Sequence, residues 1–228
     1  MAMVARWGMT TDRTGFRMVR DEIAARLRLA QILSPAFPIG AFAHSQGLET
    51  AIADGRVADA GDLQDWIAAV LTHGSARSDA IFLSMARRPG ADLAALADLF
   101  DAWLPSAERA IEMAELGRAF QSLIKPKEPA LPYPLAVGVA TQDMDLPEDE
   151  VLALFLQGVA AQLVSVAVRF LPLGQTEGQR VLAELAPVIA ATAQAAAAAG
   201  EADLWSFTPG ADLAAMAHET LETRIFRT

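Results

Sequence analysis

Residues 147–171 read PEDEVLALFLQGVAAQLVSVAVRFL, and this stretch decides the fold. Pro147 suits the first turn of a helix, and the three carboxylates after it suit the positive end of the helix dipole. Apolar side chains then fall on nearly every face of the helix. A helix of this kind is normally the buried centre of a bundle. We therefore expect a helical protein built around this segment.

Helical periodicity continues on both sides of the central segment. Apolar residues at helical spacing mark further helices around residues 23–31, 63–71, 93–100, 111–123 and 181–189. Asp62 precedes the second of these and is expected to cap it. Pro187 should kink or divide the last one. Sustained alternation and hairpin signals are missing from the sequence, so we predict an all-α fold of about eight to ten helices.

The chain is expected to form a single all-helical domain over residues 21–228. The proline-rich loop 125–134 is interpreted as crossing the surface of that domain, because no linker composition surrounds it. Residues 1–20 contain four arginines and one acidic residue. They are predicted to be a flexible basic arm ahead of the first helix, and an organelle transit peptide is the alternative.

Composition excludes several classes of protein. The 228 residues carry a net charge of −10, and so acidic a surface disfavours the binding of nucleic acid. Cysteine is absent, which excludes disulfides and thiolate metal sites and fits a reducing cytoplasm. Gln157, Gln162 and Ser165 interrupt the most apolar segment, so no transmembrane helix is expected.

Catalytic motifs are weak. The three histidines, His44, His73 and His218, show no HExxH spacing. Glu219 and Glu222 follow His218 and could hold a metal with it, although a solvated helix face explains them as well. The residues around Ser45 lack the pattern of a nucleophile elbow, and residues 174–178 lack that of a P-loop.

Two other features favour interaction surfaces. Residues 35–42, PAFPIGAF, form an apolar loop between prolines, and Ile225-Phe226 lies between Arg224 and Arg227. Exposed apolar residues beside arginine are typical of protein interfaces. Arg169 ends the most apolar helix and is expected to be buried with a carboxylate or carbonyl partner; a site for a substrate anion is the alternative.

Five segments in order resemble the F-type urease accessory protein (UreF) family. The opening block, residues 29–49, includes PIGAF at 38–42 and SQGLE at 45–49. AELGRAF at 114–120 and PLAVG at 134–138 follow, and LVSVAVRFLPLGQTEGQRVL at 163–182 is the most distinctive. The last block runs from His218-Glu219 to RIFRT at 224–228. Residues 1–20 lie outside the resemblance.

The resemblance implies an all-α homodimer without catalytic activity, cofactor or metal site of its own. It implies a cytoplasmic chaperone that bridges the UreD/UreH-type accessory protein and the UreG-type GTPase, in a complex that delivers nickel to apo-urease. Tyr133 and His44 depart from the residues expected in the family, so no ligand role carries over to them. The residues expected to face partners are Gly40, Phe42, Ser45, Gln46, Glu49, Arg224, Phe226 and Arg227.

Three alternatives remain open at this point. The chain could regulate the GTPase by inserting an arginine into its nucleotide site, with Arg109, Arg118, Arg169 and Arg180 as candidates. It could be a small helical metalloenzyme built on His218 and Glu219. The tail, residues 218–228, is predicted to dock on the D/H-type protein, but Ile225 and Phe226 could instead pack on the chain's own core.

Overall fold

A computed structural model describes residues 13–125 and 128–228, and within these residues it contains helices and no strand. The α-helices are α1 (Arg13–Ile32), α2 (Leu48–Ala53), α3 (Ala60–His73), α4 (Ser75–Arg87), α5 (Leu93–Trp103), α6 (Ala107–Ile124), α7 (Tyr133–Thr141), α8 (Glu148–Phe170), α9 (Gln175–Glu184), α10 (Ala186–Ala198) and α11 (Pro209–His218). Short 3-10 helices cover Ala41–Ala43 and Glu201–Asp203. The predicted all-α fold is confirmed.

Helix α8 is the centre of the bundle. It packs against α1, α2, α3, α4, α9 and α10, and its buried side chains include Val151, Phe155 and Leu163. By length and composition α8 could cross a membrane, but half of its most apolar 18-residue window is buried inside the protein. The described contacts identify α8 as a core helix.

A second group of helices completes the core. α7 packs between α4 and α6, and Phe82 of α4 meets Phe100 of α5 edge to face with ring centroids 4.9 Å apart. Gly117 of α6 permits a close crossing, because a Cβ there would lie 2.0 Å from the carbonyl oxygen of Leu131. The proline-rich loop therefore lies directly on α6.

Helix ends follow local signals, with one correction. α3 begins at Ala60 and is capped by Asp59, whose carboxylate accepts the N–H groups of Gly61 and Asp62, so the predicted cap at Asp62 was wrong by three residues. The helix α1 begins at Arg13 and includes residues 13–20 of the predicted arm. Residues 1–12, the rest of the predicted arm, lie outside the described residues. The kink predicted at Pro187 is confirmed, since α9 and α10 meet at an angle of 42°.

The last helix brings the chain's two interface candidates together. α11 packs against α2 and α6, which places residues 218–228 beside the segment 43–49. Gly47, at φ +79°, makes this approach possible, because a Cβ there would lie 2.5 Å from the main-chain nitrogen of Ala215.

Candidate functional site

The tail lies along the segment before α2 and is hydrogen-bonded to it. The N–H of Arg227 donates to the carbonyl oxygen of Ala43 at 2.8 Å, and the Ser45 hydroxyl donates to the main-chain oxygen of Thr228 at 2.7 Å. His44 Nδ1 lies 2.9 Å from the Thr228 hydroxyl. His44 and Ser45 are both buried, and burial lowers the pKa of His44, which favours the neutral ring. These contacts fix the tail to its own chain.

Glu49, in the first turn of α2, holds the same tail through its buried carboxylate. Its carboxylate accepts the N–H groups of Ile225 at 2.8 Å and Phe226 at 3.0 Å. Glu49 is only 4% exposed, so these charge-assisted hydrogen bonds form away from water. The carboxylate thereby satisfies two backbone donors that would otherwise be unpaired.

His218 joins Glu49 to a second buried carboxylate. Its Nε2 lies 3.1 Å from Glu49 and its Nδ1 lies 2.7 Å from Glu108, while the other oxygen of Glu108 accepts from Arg224 at 2.6 Å. The two ring nitrogens of His218 thus each contact a different carboxylate, and the buried ring connects Glu49 of α2 to Glu108 of α6.

Phe226 is the apolar anchor of the tail. It is 3% exposed, and its ring centroid lies 5.5 Å from that of Phe170 at the end of α8. The guanidinium of Arg169 also lies over the Phe226 ring, 5.6 Å from the ring centroid. Phe226 thus packs on the chain's own core, as the alternative hypothesis stated, whereas Ile225 is 74% exposed.

The prediction of a buried Arg169 is wrong. Arg169 lies in the last turn of α8, where the helix reaches the surface, and its side chain is exposed. It contacts the Phe226 ring and the carbonyl oxygen of Phe42, at 3.4 Å. The apolar residues around it in sequence face the core, while Arg169 itself points outward.

The buried arginine of this protein is Arg109. It is 5% exposed, and its guanidinium forms ion pairs with Asp79 of α4 and with Glu112 of α6, the latter at 2.8 Å. Gln46 donates to Glu112 at 3.1 Å, which connects this cluster to the segment 43–49, beside which the tail lies. Burial raises the pKa of Asp79 to about 6 despite Arg109 beside it, whereas Glu112 and Asp79 hold the pKa of Arg109 above its ordinary value even though burial lowers it.

The eight residues predicted to face partners divide into two groups. Ser45, Glu49 and Phe226 are buried by contacts within the chain. The others are exposed or half-buried: Gly40, Phe42, Gln46, Arg224 and Arg227. Glu108 and Glu112 were missed, although their spacing of four residues, which places both carboxylates on one face of α6, was a signal that could have found them.

The remaining candidates are separated by the fold. His218 faces inward, whereas Glu219 is exposed and accepts the N–H of Ala107 at the start of α6. Glu222 is exposed beyond α11, so these three side chains do not converge on a metal. Among the described residues no group of three or more His, Asp or Glu side chains is arranged to hold a metal ion.

The four arginines considered for a nucleotide site also differ. Arg109 is buried and paired, so it is not available to a partner. Arg180 pairs with Glu177 and Glu184 on its own helix. Arg118 and Arg169 are exposed.

Comparison with known proteins decides the family. The UreF family model matches residues 57–186, more than half of the chain. The chain belongs to the UreF family. A protein from Paracoccus denitrificans (strain Pd 1222) named urease accessory protein UreF is 52% identical over 208 residues, covering 90% of this chain and 96% of that protein.

More distant UreF relatives also align along most of their length. The protein of the same name from Dinoroseobacter shibae is 45% identical, covering 90% of this chain and all of that protein. The one from Rhodopseudomonas palustris (strain BisA53) is 42% identical, covering 95% of this chain and 99% of that protein. The family-model match includes Asp79, Arg109 and Glu112 but ends before the tail.

Proposed function

We propose that this chain is a urease accessory protein that bridges the UreD/UreH-type accessory protein and the UreG-type GTPase in the complex that delivers nickel to apo-urease. Membership of the UreF family and the names of its relatives support a role in urease maturation. The five sequence blocks of the resemblance support the finer role. The chemistry of nickel delivery then belongs to the partners, and this chain acts by binding.

The observation that carries the proposal is the surface formed by Phe42, Arg169, Arg224, Ile225 and Arg227, here named the tail surface. Phe42 is 66% exposed, and the exposed Arg169 donates to its carbonyl oxygen. Arg227 and Arg224 flank the exposed Ile225. Large apolar side chains interleaved with guanidinium groups are the composition of binding hot spots. Arg224 and Arg227 are ion-paired within the chain with Glu108 and Glu115, but both side chains are exposed, so their outward-facing donors would suit a carboxylate-bearing partner.

The buried residues beneath the tail surface give it a fixed shape. Glu49, Ser45 and Phe226 are occupied by the chain itself, so we assign them to holding the surface and not to touching the partner. A surface held before binding avoids part of the entropy that ordering a free tail would require. Gly40, Phe42, Arg224 and Arg227 remain the residues that we propose contact the D/H-type protein.

A neighbouring surface, which shares Phe42 with the tail surface, suits the proposed homodimer. Helix α8 and the loop 33–42 enclose an apolar groove lined by Phe37, Phe155 and Val159, with exposed Phe42 at its edge. Residues 155–165 of α8 form one wall of this groove. We propose that a second copy covers it, since an apolar helix face of this size normally packs on protein.

Regulation of the GTPase nucleotide site is the alternative function. The exposure of Arg118 and Arg169 leaves these two arginines available for it. An inserted arginine raises GTP hydrolysis by several orders of magnitude. Arg118→Ala or Arg169→Ala would then abolish the stimulation of GTP hydrolysis while preserving the complex.

For the compartment we propose the cytoplasm, which the absence of cysteine fits, and we propose no nucleic-acid or membrane partner. The strongly acidic composition supports the first exclusion, because a net charge of −10 repels phosphate backbones. The burial of half of the apolar window of α8 supports the second.

Affinity purification with three purified components tests the bridge. Tagged D/H-type protein should retain the GTPase only when this chain is added. Phe42→Ala combined with Arg227→Glu should abolish retention, whereas Phe207→Ala, which removes an aromatic ring that is 76% exposed, is the matched control and should preserve it. Retention of the GTPase without this chain would refute the bridge, and equal retention by both variants would refute the tail surface.

A further inference from the structure

A small cavity with several polar side chains in its walls lies between the buried charges and the tail. Its walls come from α3, α6 and α11 and from the segment before α2, and Thr228 contributes to one side. The cavity leaves about 30 Å³ for the centres of water molecules. One bound water needs roughly 10–15 Å³ by the same measure, so the space fits about two.

Three of the residues that line the cavity each have a buried polar atom with no hydrogen-bond partner among the described residues: Trp66 Nε1, Arg109 Nε and Gln46 Oε1. The remaining polar atoms of Arg109 and Gln46 are paired with Asp79 and Glu112. Arg109 is 95% buried, so bulk water does not reach its Nε. Buried polar groups in folded proteins are almost always satisfied, and three around one cavity indicate a missing ligand.

The chemistry of the walls selects that ligand. Trp66 and Arg109 offer N–H donors, and Gln46 offers an acceptor. A cation is opposed by the guanidinium, and an anion is opposed by the carboxylates of Glu108 and Glu112, which also line the cavity. Water accepts two hydrogen bonds and donates two, so it can serve all three atoms. We propose that about two ordered water molecules occupy this cavity and bridge α3, α6 and the segment before α2.

A larger surface cleft adjoins the cavity. The two share Ser75, Pro105 and Asp212 as lining residues, and the walls of the cleft include Trp103 and Trp205. The proposal assigns the exchange of water with solvent to this side of the cavity. The water molecules would connect Trp66, a residue of α3 outside the tail surface, to the segment before α2, which holds the tail.

Water–protein cross-relaxation in NMR tests the proposal directly. The Trp66 indole proton, assigned with Trp66→Phe, should show a cross-peak to water whose sign reports long residence. Trp205 is 45% exposed, so its indole should show only fast exchange and serves as control. Absence of a long-lived cross-peak at Trp66 would overturn the proposal, as would an indole shift that titrates with bromide, since bromide would mark an anion site.

A double-mutant cycle gives a second measurement that does not rely on the spectrum. Trp66→Phe removes the indole N–H, and Gln46→Met removes the amide oxygen together with the hydrogen bond that the amide donates to Glu112; Trp66 and Gln46 share no hydrogen bond in the structure. If both bind the same water, the loss of Tm in the double variant should fall short of the sum of the two single losses. Strict additivity would show that no water connects them.

Discussion

Replacing Phe226 by alanine should destabilise the isolated chain before any partner is added. The side chain is 3% exposed and contacts the ring of Phe170 and the guanidinium of Arg169. Ile225, the residue before it in the tail, is 74% exposed. The two positions therefore form a matched pair in the same tail.

The magnitude follows from these contacts. Burial of a phenylalanine side chain contributes roughly 1.5–3 kcal/mol, and a ring pair and a cation–π contact add about 0.5–1 kcal/mol each. We expect Phe226→Ala to lower the free energy of unfolding by about 3 kcal/mol, and Ile225→Ala by less than about 0.5 kcal/mol. For a domain of this size the first loss corresponds to a fall in Tm of about 6–12 °C.

Thermal and urea unfolding followed by circular dichroism measure both variants. Deletion of residues 224–228 should lower Tm at least as much as Phe226→Ala, because it also removes the two backbone N–H groups that donate to Glu49. Equal Tm values for Phe226→Ala and Ile225→Ala would refute the docked tail. In that case Phe226 would be free to anchor a partner directly.

Three further predictions concern the buried charges and metal binding. Arg109→Ala should lower the free energy of unfolding by about 3–5 kcal/mol, because it leaves Asp79 and Glu112 buried without a counter-ion, whereas Arg180→Ala, on an exposed pair, should leave it nearly unchanged; similar urea midpoints would refute the buried triad. The pKa of Asp79 is raised from 3.8 to about 6, so the protonated carboxyl stabilises the fold and this contribution is lost as pH rises through that window; the stability of the wild type relative to Asp79→Asn should therefore fall by about 2 kcal/mol between about pH 4 and pH 6, and parallel pH profiles would contradict the raised pKa. Calorimetry should find only weak nickel binding to the chain alone, because His44 and His218 are engaged in buried hydrogen bonds, and one tight site lost in His218→Ala would contradict this.

Local signals in the sequence were enough for the helical architecture. Pro147 with three following carboxylates marks the start of α8, and Pro187 marks the bend between α9 and α10. Each of these signals acts within a few residues, so it can be read without knowledge of the tertiary structure. The all-round apolar pattern of α8 likewise predicts its central position.

The site could not be predicted in the same way, because its contacts are distant in sequence. His218 meets Glu108 across 110 positions, and Phe226 meets Glu49 across 177. Periodicity carries no information about such pairs. The burial of the two arginines shows the same limit. Apolar neighbours in sequence suggested that Arg169 is buried, but it is exposed. The fold instead buries Arg109, although the surrounding stretch 107–115 is rich in polar residues.

Reconstituted activation of apo-urease tests the central proposal most directly. Apo-urease, the D/H-type protein, the G-type GTPase, nickel and GTP would be combined with and without this chain, and urease activity and bound nickel would be measured. We predict that both rise only when the chain is present, and that Phe42→Ala with Arg227→Glu loses the effect while Phe207→Ala retains it. Equal activation without the chain would contradict its role in urease maturation.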